Sequence, residues 1–210
     1  MALSKPLLYL ASRSPRRQEL LSQIGVVFHV LSMREALPRG ADVNEEPFAD
    51  EAAAQYAPRI ARAKAEAGRK RILERGLPDL PVLGADTAVV LQRRIFGKPG
   101  NSADAKEMLR ALSGRTHQVF SAVAVISRTG IRSALSRSDV RICHLSEHEI
   151  DGYLAWGEGY DKAGGYAIQG KAAVFISEIA GSYSGVMGLP LFETARLLEE
   201  SGIQILPETR

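Results

Sequence analysis

Leu7-Leu8-Tyr9-Leu10-Ala11-Ser12-Arg13-Ser14-Pro15-Arg16-Arg17-Gln18-Glu19-Leu20-Leu21-Ser22-Gln23-Ile24-Gly25 carries the first structural pattern of the chain. Leu7 to Ala11 is a continuous apolar run bounded by polar residues, the signature of a strand buried on both faces. Ser14 is placed to cap a helix and Pro15 to occupy its first position; Leu20, Leu21 and Ile24 then recur at helical spacing until Gly25 ends it. Strand, turn and helix in that order predict an α/β protein.

Working outward, Val26 to Leu31 reads as a second strand and Pro38 to Pro47 as an exposed connection. Phe48 to Arg75 is Ala-rich, charged and helical, and Pro58 within it predicts a kink or two abutting helices. Pro81 to Leu91 reads as another buried strand, Gln92 to Arg94 as a turn, and Ser102 to Leu112 as an amphipathic helix closed by Gly114. His117 to Ile126 and Ile131 to Cys143 make a long β-hairpin. Ser146 caps a short helix reaching Trp156. Gly157 to Gly170 reads as a loop, Ala172 to Ile179 as a strand, Gly181 to Gly188 as a second glycine-bearing loop and Pro190 to Ser201 as the last helix. A sheet flanked by helices, with a cleft between two lobes, is the expected architecture.

The 210 residues are 45% apolar, an ordinary globular composition, and 27 Lys and Arg against 24 Asp and Glu give a net charge of only +3. Basic residues are scattered among acids, so no polybasic stripe marks a nucleic-acid groove. The single cysteine, Cys143, excludes an intrachain disulfide framework and a multi-cysteine zinc site, which points to a reducing compartment. Leu7 to Ala11 is too short for a membrane span or a signal-peptide core, so a cytoplasmic protein without membrane contact is expected.

Arg16 and Arg17 stand where helix physics disfavours cations. The first turn of a helix carries roughly half a positive charge on its unpaired N–H groups, so each arginine costs a few tenths of a kcal/mol unless an anion arrives. Ser12, Ser14, those N–H groups and the two guanidiniums make a phosphate cradle; arginines pointing into solvent are the equal alternative. Asp86 interrupts the apolar Pro81–Leu91 run. An unpaired buried carboxylate is costly, which predicts that Asp86 lies at a strand end facing a cleft, a metal or a cation, where it binds Mg²⁺ or takes a proton from water, unless it caps a turn or pairs with an arginine. Lys98, in Gly97-Lys98-Pro99, and the stretch Asp161-Lys162-Ala163-Gly164-Gly165-Tyr166-Ala167-Ile168-Gln169-Gly170 add cations, close backbone approach and an amide suited to a base edge. His29, His117, His144 and His148 lack metal-ligand spacing and read as packed or surface residues. Neither a P-loop nor a dinucleotide-binding glycine motif is present.

Leu10 to Leu21, Gly84-Ala85-Asp86-Thr87, Gly97-Lys98-Pro99, Leu112-Ser113-Gly114-Arg115-Thr116-His117, Asp161 to Gly170 and Val186-Met187-Gly188-Leu189-Pro190 together resemble the Maf family of nucleoside triphosphate pyrophosphatases, collinear from about Leu8 to Gly202. The resemblance implies one domain over residues 1–210, made of two lobes: an elongated mixed sheet flanked by helices, with a central nucleotide cleft, like that of inosine-triphosphate pyrophosphatases. It implies hydrolysis of a nucleoside triphosphate to monophosphate and pyrophosphate with a divalent cation, Mg²⁺ or alternatively Mn²⁺, and it is compatible with a homodimer. By the resemblance Asp86 is the proton acceptor and metal ligand, and Ser12, Arg17, Lys64, Lys98 and Lys162 hold the phosphates or support the cleft.

The branch of the family acting on dTTP and UTP has Arg, Thr and Gln where this chain has Arg16, Thr87 and Gln169; the 7-methyl-GTP branch has Trp, Gln and Glu there. A neutral amide suits the mixed donor and acceptor edge of uracil or thymine. Pyrimidine triphosphates, with modified pyrimidines among them, are therefore the expected substrates. The acidic pair that the family carries after the aromatic matching Phe28 is missing from Ser32 to Leu37, where Glu35 is the nearest acid and the second metal-ligand candidate. A non-catalytic nucleotide sensor influencing cell division or septum formation is the alternative, distinguished by binding dTTP or UTP without turnover.

Overall fold

A computed structural model describes residues 7–32 and 42–205. Strand β1 (Leu8–Leu10) leads through a short turn into helix α1 (Pro15–Gln23), and the chain returns as β2 (Phe28–Val30). Helix α2 (Ala53–Glu74) precedes the long β3 (Val82–Leu91) and the short β4 (Arg94–Phe96). After α3 (Ser102–Leu112) come the hairpin strands β5 (Thr116–Ser127) and β6 (Gly130–Ile142), then α4 (Glu147–Ala155), β7 (Ile176–Ala180), α5 (Tyr183–Met187) and α6 (Leu191–Glu200). The expected α/β fold is present: a seven-stranded mixed sheet in the order β2-β1-β3-β5-β6-β7, with β4 also paired to β3, and helices against both faces.

Four expectations need correction. Pro58 does not break α2, which runs unbroken for 22 residues. As the sixth helical residue it forfeits one backbone hydrogen bond, and burial of Ala57, Ile60, Ala61 and Ala65 against the sheet offsets that loss. Lys171–Phe175 forms a 3₁₀ turn and the strand begins only at Ile176. Within the Gly181–Gly188 stretch lies α5, capped by the Ser182 hydroxyl accepting from the Gly185 N–H at 3.0 Å. Ser14 occupies the N-cap position of α1 but its side chain makes no capping bond; its own N–H donates to Ser12 Oγ at 3.2 Å.

The sheet has two differently used faces, and β3 shows how. Gly84, Asp86, Ala88 and Val90 alternate onto the face covered by α2. Gly84 has no side chain for a reason: a Cβ there would collide with the carbonyl oxygen of Ala61 and stand 2.6 Å from the amide nitrogen of Ala65. Ala57, Ala61, Ala65 and Gly68 complete a small-residue stripe on α2 that brings its backbone down onto the strand. On the opposite face, Leu83 and Ala85 belong to an apolar cluster with Leu20, Leu21, Leu197 and Leu198 of α1 and α6, whereas Val89 belongs to another with Leu109, Leu112, Ile150 and Tyr153 of α3 and α4. Thr87 sits between these clusters, directly across from Ser121 of β5, the two hydroxyl oxygens 3.1 Å apart. A polar seam thus divides two apolar clusters on one sheet face.

The edge of β3 is used unevenly too. β1 pairs with it only at Val82 and Leu83, and β4 only from Val89 to Leu91. Between them the 84–88 edge has no neighbouring strand among the described residues, and there the fold opens a cleft.

Gly84→Ala is expected to cost about 1–3 kcal/mol, the range for overpacking a close contact, because the helix must lift off the strand; urea unfolding measures it. A second expectation concerns His117, 1% exposed on β5, whose burial pulls its pKa down to about 4. The ordinary value is about 6.5, so the neutral ring's contribution is complete above pH 6.5 and is lost as pH falls toward 4; by pH 4.5 the loss is about 2 kcal/mol. Denaturant unfolding at pH 7 and 4.5 should show His117→Gln losing about that much less than the parent chain.

Candidate active site

The cleft has a volume of ≈ 960 Å³, and Ser12, Ser14, Arg16, Arg17, Lys64, Asp86, Thr87, Lys98, Lys162 and Gln169 all line it. Ten side chains spread from position 12 to 169 therefore meet in one cavity. Glu35 lies outside the described residues.

Asp86 is the fifth residue of a ten-residue strand, not at a strand end as expected. Only 6% exposed, it would be costly unpaired. Its partner is a lysine: Lys64 Nζ donates to Asp86 Oδ1 at 2.8 Å and to Glu45 Oε2 at 3.0 Å. The close seat of α2 on Gly84 puts Lys64 there, since position 64 lies on the helix between the contacting Ala61 and Ala65 and Asp86 lies two residues along the same strand face.

Glu45 was missed because a Glu in an irregular connection ordinarily reads as a solvated charge. It is held from two directions: Tyr56 donates its hydroxyl to the Glu45 carbonyl at 2.8 Å, and Lys64 reaches its carboxylate. Arg59 bonds the Glu46 carbonyl at 3.0 Å and forms a paired contact with Glu51, while buried Arg71 joins the Ser32 carbonyl and Asp42. Helix α2 is thus the platform to which the segment from Asp42 to Glu51 is fastened.

On the facing wall, Arg17 uses all three guanidinium nitrogens on the protein. Nε donates to the Gly188 carbonyl at 2.8 Å, Nη1 to Ser12 Oγ at 3.2 Å and Nη2 to Thr87 Oγ1 at 3.4 Å. Burial pulls its pKa below the ordinary arginine value, although the guanidinium stays charged. These bonds leave two of its five N–H donors for a ligand. They also join the tip of α1 to the strand residue beside Asp86. Arg16 lies 3.8 Å from Asp161, and Lys162 donates to the Glu158 carbonyl at 2.6 Å and to Asp161. Lys98 and Gln169 are exposed at the rim. Thr87 is tied to Ser121 as well as Arg17, and Ser121 donates to the Gly185 carbonyl at 2.6 Å, so α5 is fastened over the polar seam with Gly188 at the cleft. Among the described residues no cluster of three or more His, Cys, Asp or Glu forms a ready-made metal cage, and no helix is long and apolar enough to cross a membrane.

The arrangement places a cationic wall of Arg16, Arg17, Lys98 and Lys162 opposite two carboxylates, Asp86 and Glu45. Cations of that number suit a polyphosphate, and a carboxylate facing them suits activation of water against it.

Comparison with known proteins agrees. The family model described as Maf-like protein matches residues 7–201. The chain is 68% identical over 198 residues to the dTTP/UTP pyrophosphatase of Nitrosospira multiformis, covering 94% of this chain and 96% of that protein. It is 57% identical over 198 residues to the protein of the same name from Nitrosomonas europaea, again covering 94% and 96%. The solved Ham1 protein of Staphylococcus aureus is more distant, at 17% identity and a TM-score of 0.43 over 64% of this chain and 71% of that one. With a family model spanning nearly all of the described residues and relatives this similar over nearly their whole length, the chain belongs to the Maf family.

Proposed function

We propose that the chain hydrolyses dTTP and UTP to the monophosphate and pyrophosphate. The observation that carries this reading is the placement of Asp86, paired to Lys64 and next in sequence to a residue held by Arg17, on the floor of a cleft walled by cations. Relatives named for this activity support the pyrimidine assignment, as do Arg16, Thr87 and Gln169 in the same cavity.

In the proposed reaction a water oxygen attacks the α-phosphorus. Asp86 accepts the water's proton, the bond from the α-phosphorus to its bridging oxygen breaks, and pyrophosphate leaves with the electron pair. Arg17, Lys98 and Lys162 offset charge on the phosphate oxygens, and Ser12, Ser14 and the first-turn N–H groups of α1 receive one phosphate. Lys64 orients Asp86 and Glu45 and compensates their charge.

A divalent cation fits this donor set. Mg²⁺ takes one or two protein carboxylates and completes its shell with water and phosphate oxygens, and Asp86 and Glu45 converge on the same ammonium group. These two residues would hold it, with Mn²⁺ an acceptable substitute. The chemistry such an ion supplies when bound is neutralisation of triphosphate charge. Glu45 replaces Glu35 in this reading as the second acid. We further assign the whole chain to one two-lobed unit acting in the cytoplasm.

Asp86→Asn is expected to lower turnover of UTP by about 10²-fold or more, the usual scale for losing a general base, with the fold intact by circular dichroism. Activity within twofold of the parent in a pyrophosphate-release assay would remove Asp86 from this role. Gln169→Glu replaces an amide that can both donate and accept by a group that only accepts. kcat/KM for UTP should fall by about 10-fold or more, the scale of one unmatched hydrogen bond.

A further inference from the structure

The loop from Asp161 to Gln169 carries Lys162 near one of its ends and the Gln169 amide at the other, both lining the cleft, and Tyr166 stands between them in sequence. Tyr166 lines the cleft, yet it is only 6% exposed, because its ring turns down into the cluster beneath α3 and α4. There its hydroxyl lies 2.7 Å from His117 Nε2, the two rings meeting edge to face at 5.4 Å. The next residue is fastened to the same cluster: the Ala167 N–H donates to the Tyr153 hydroxyl at 3.1 Å. The loop's outer parts are fixed by other means. Gly164 donates to the Gly97 carbonyl at 3.1 Å, and Glu158 accepts from the Lys171 N–H at 2.8 Å.

We propose that the hydrogen bond between Tyr166 and His117 is a positioning brace that sets where Gln169 stands over the base of a bound pyrimidine nucleotide. The ligand named here rests on the pyrophosphatase reading above.

The energetics favour a directional over a stabilising role. His117 is buried with its Nδ1 lacking a partner, so the pair keeps an unsatisfied polar atom in an otherwise apolar cluster. Two apolar side chains of similar volume would avoid that penalty. They would also lose direction, since an apolar ring held only by dispersion can slide, whereas a hydroxyl bonded at 2.7 Å to a strand residue fixes the loop's height above the sheet. β5 supplies the anchor rigidly, being paired with β6 along its length, His117 opposite Val140, and with β3 from Gln118 to Ile126. Ala167, Ile168 and Gln169 follow Tyr166 directly along the cleft wall. Releasing the brace therefore shifts the base-facing amide while leaving Asp86 and Lys64, on α2's side of the sheet, in place. The expected signature is a change in binding and base preference without a matching change in kcat.

The test uses the full chain and its Tyr166→Phe, His117→Leu, His117→Gln and doubly substituted His117→Leu, Tyr166→Phe forms. Affinity for a non-hydrolysable UTP analogue is measured by calorimetry, kcat and KM with UTP and CTP, and folding by near-ultraviolet circular dichroism. Tyr166→Phe and His117→Leu should each weaken the analogue by about five- to tenfold, the scale of one hydrogen bond, and narrow the preference for UTP over CTP. The double form should lose no more than either single one, and His117→Gln, which can still reach the phenol, should recover most of the affinity. An unchanged dissociation constant in folded Tyr166→Phe, or losses that multiply in the double form, overturns the brace; if His117→Leu does not fold, Tyr166→Phe alone decides. A parent chain that binds the analogue but turns over neither dTTP nor UTP removes the pyrophosphatase reading, and the brace still stands or falls on the dissociation constants.

Discussion

Helix α2 rests on β3 at backbone distance because residue 84 has no side chain, and the floor of the cleft is built on that contact. The helix brings an ammonium group down to a carboxylate that would otherwise be costly to bury. The same helix fastens the segment carrying Glu45 through Tyr56, Arg59, Lys64 and Arg71, so one packing event positions both acids. A larger residue at position 84 would lift all of these groups together, which couples stability to the site more tightly than a loop-borne site would allow.

The second constraint lies on the other face. Thr87 and Ser121 interrupt what would have been one continuous apolar surface, and the fold responds by stacking α1 and α6 on one side of the interruption and α3 and α4 on the other. Hydroxyl groups on the strands need partners, and the backbone carbonyls of Gly185 and Gly188 supply them. Arg17 closes the arrangement from α1. Its fork serves first as a tie between helix tip, strand and α5, and the positive end of α1 is thereby held facing the cleft rather than solvent. Because β1 stops at Leu83's partner and β4 starts only at Val89's, Asp86 and Thr87, which point to opposite faces, can both reach one cavity around an open strand edge.

Much of this was legible in the chain. The apolar run before Ser12, the long hairpin and the helices opening at Pro15, Ser102 and Glu147 follow from periodicity and capping chemistry, which are local. Arg16, Arg17 and Asp86 were conspicuous because each violates a local rule, and such violations mark a site. Less legible was Pro58, whose helix is kept whole by packing against distant strands. Glu45 and Tyr166 broke no local rule: a Glu in a connection and a Tyr in a glycine-rich loop are both ordinary.

The sequence by itself determined the α/β alternation, the membership of the site's cationic wall and the presence of one strand-borne acid, since hydrophobic period, capping residues and a buried charge are all properties of neighbouring residues. Only the tertiary structure decided that Lys64 is the partner of Asp86, that Glu45 shares that lysine and that Tyr166 reaches His117. Those pairings join residues 19 to 49 positions apart, and they depend on how closely helix, strand and loop approach in space.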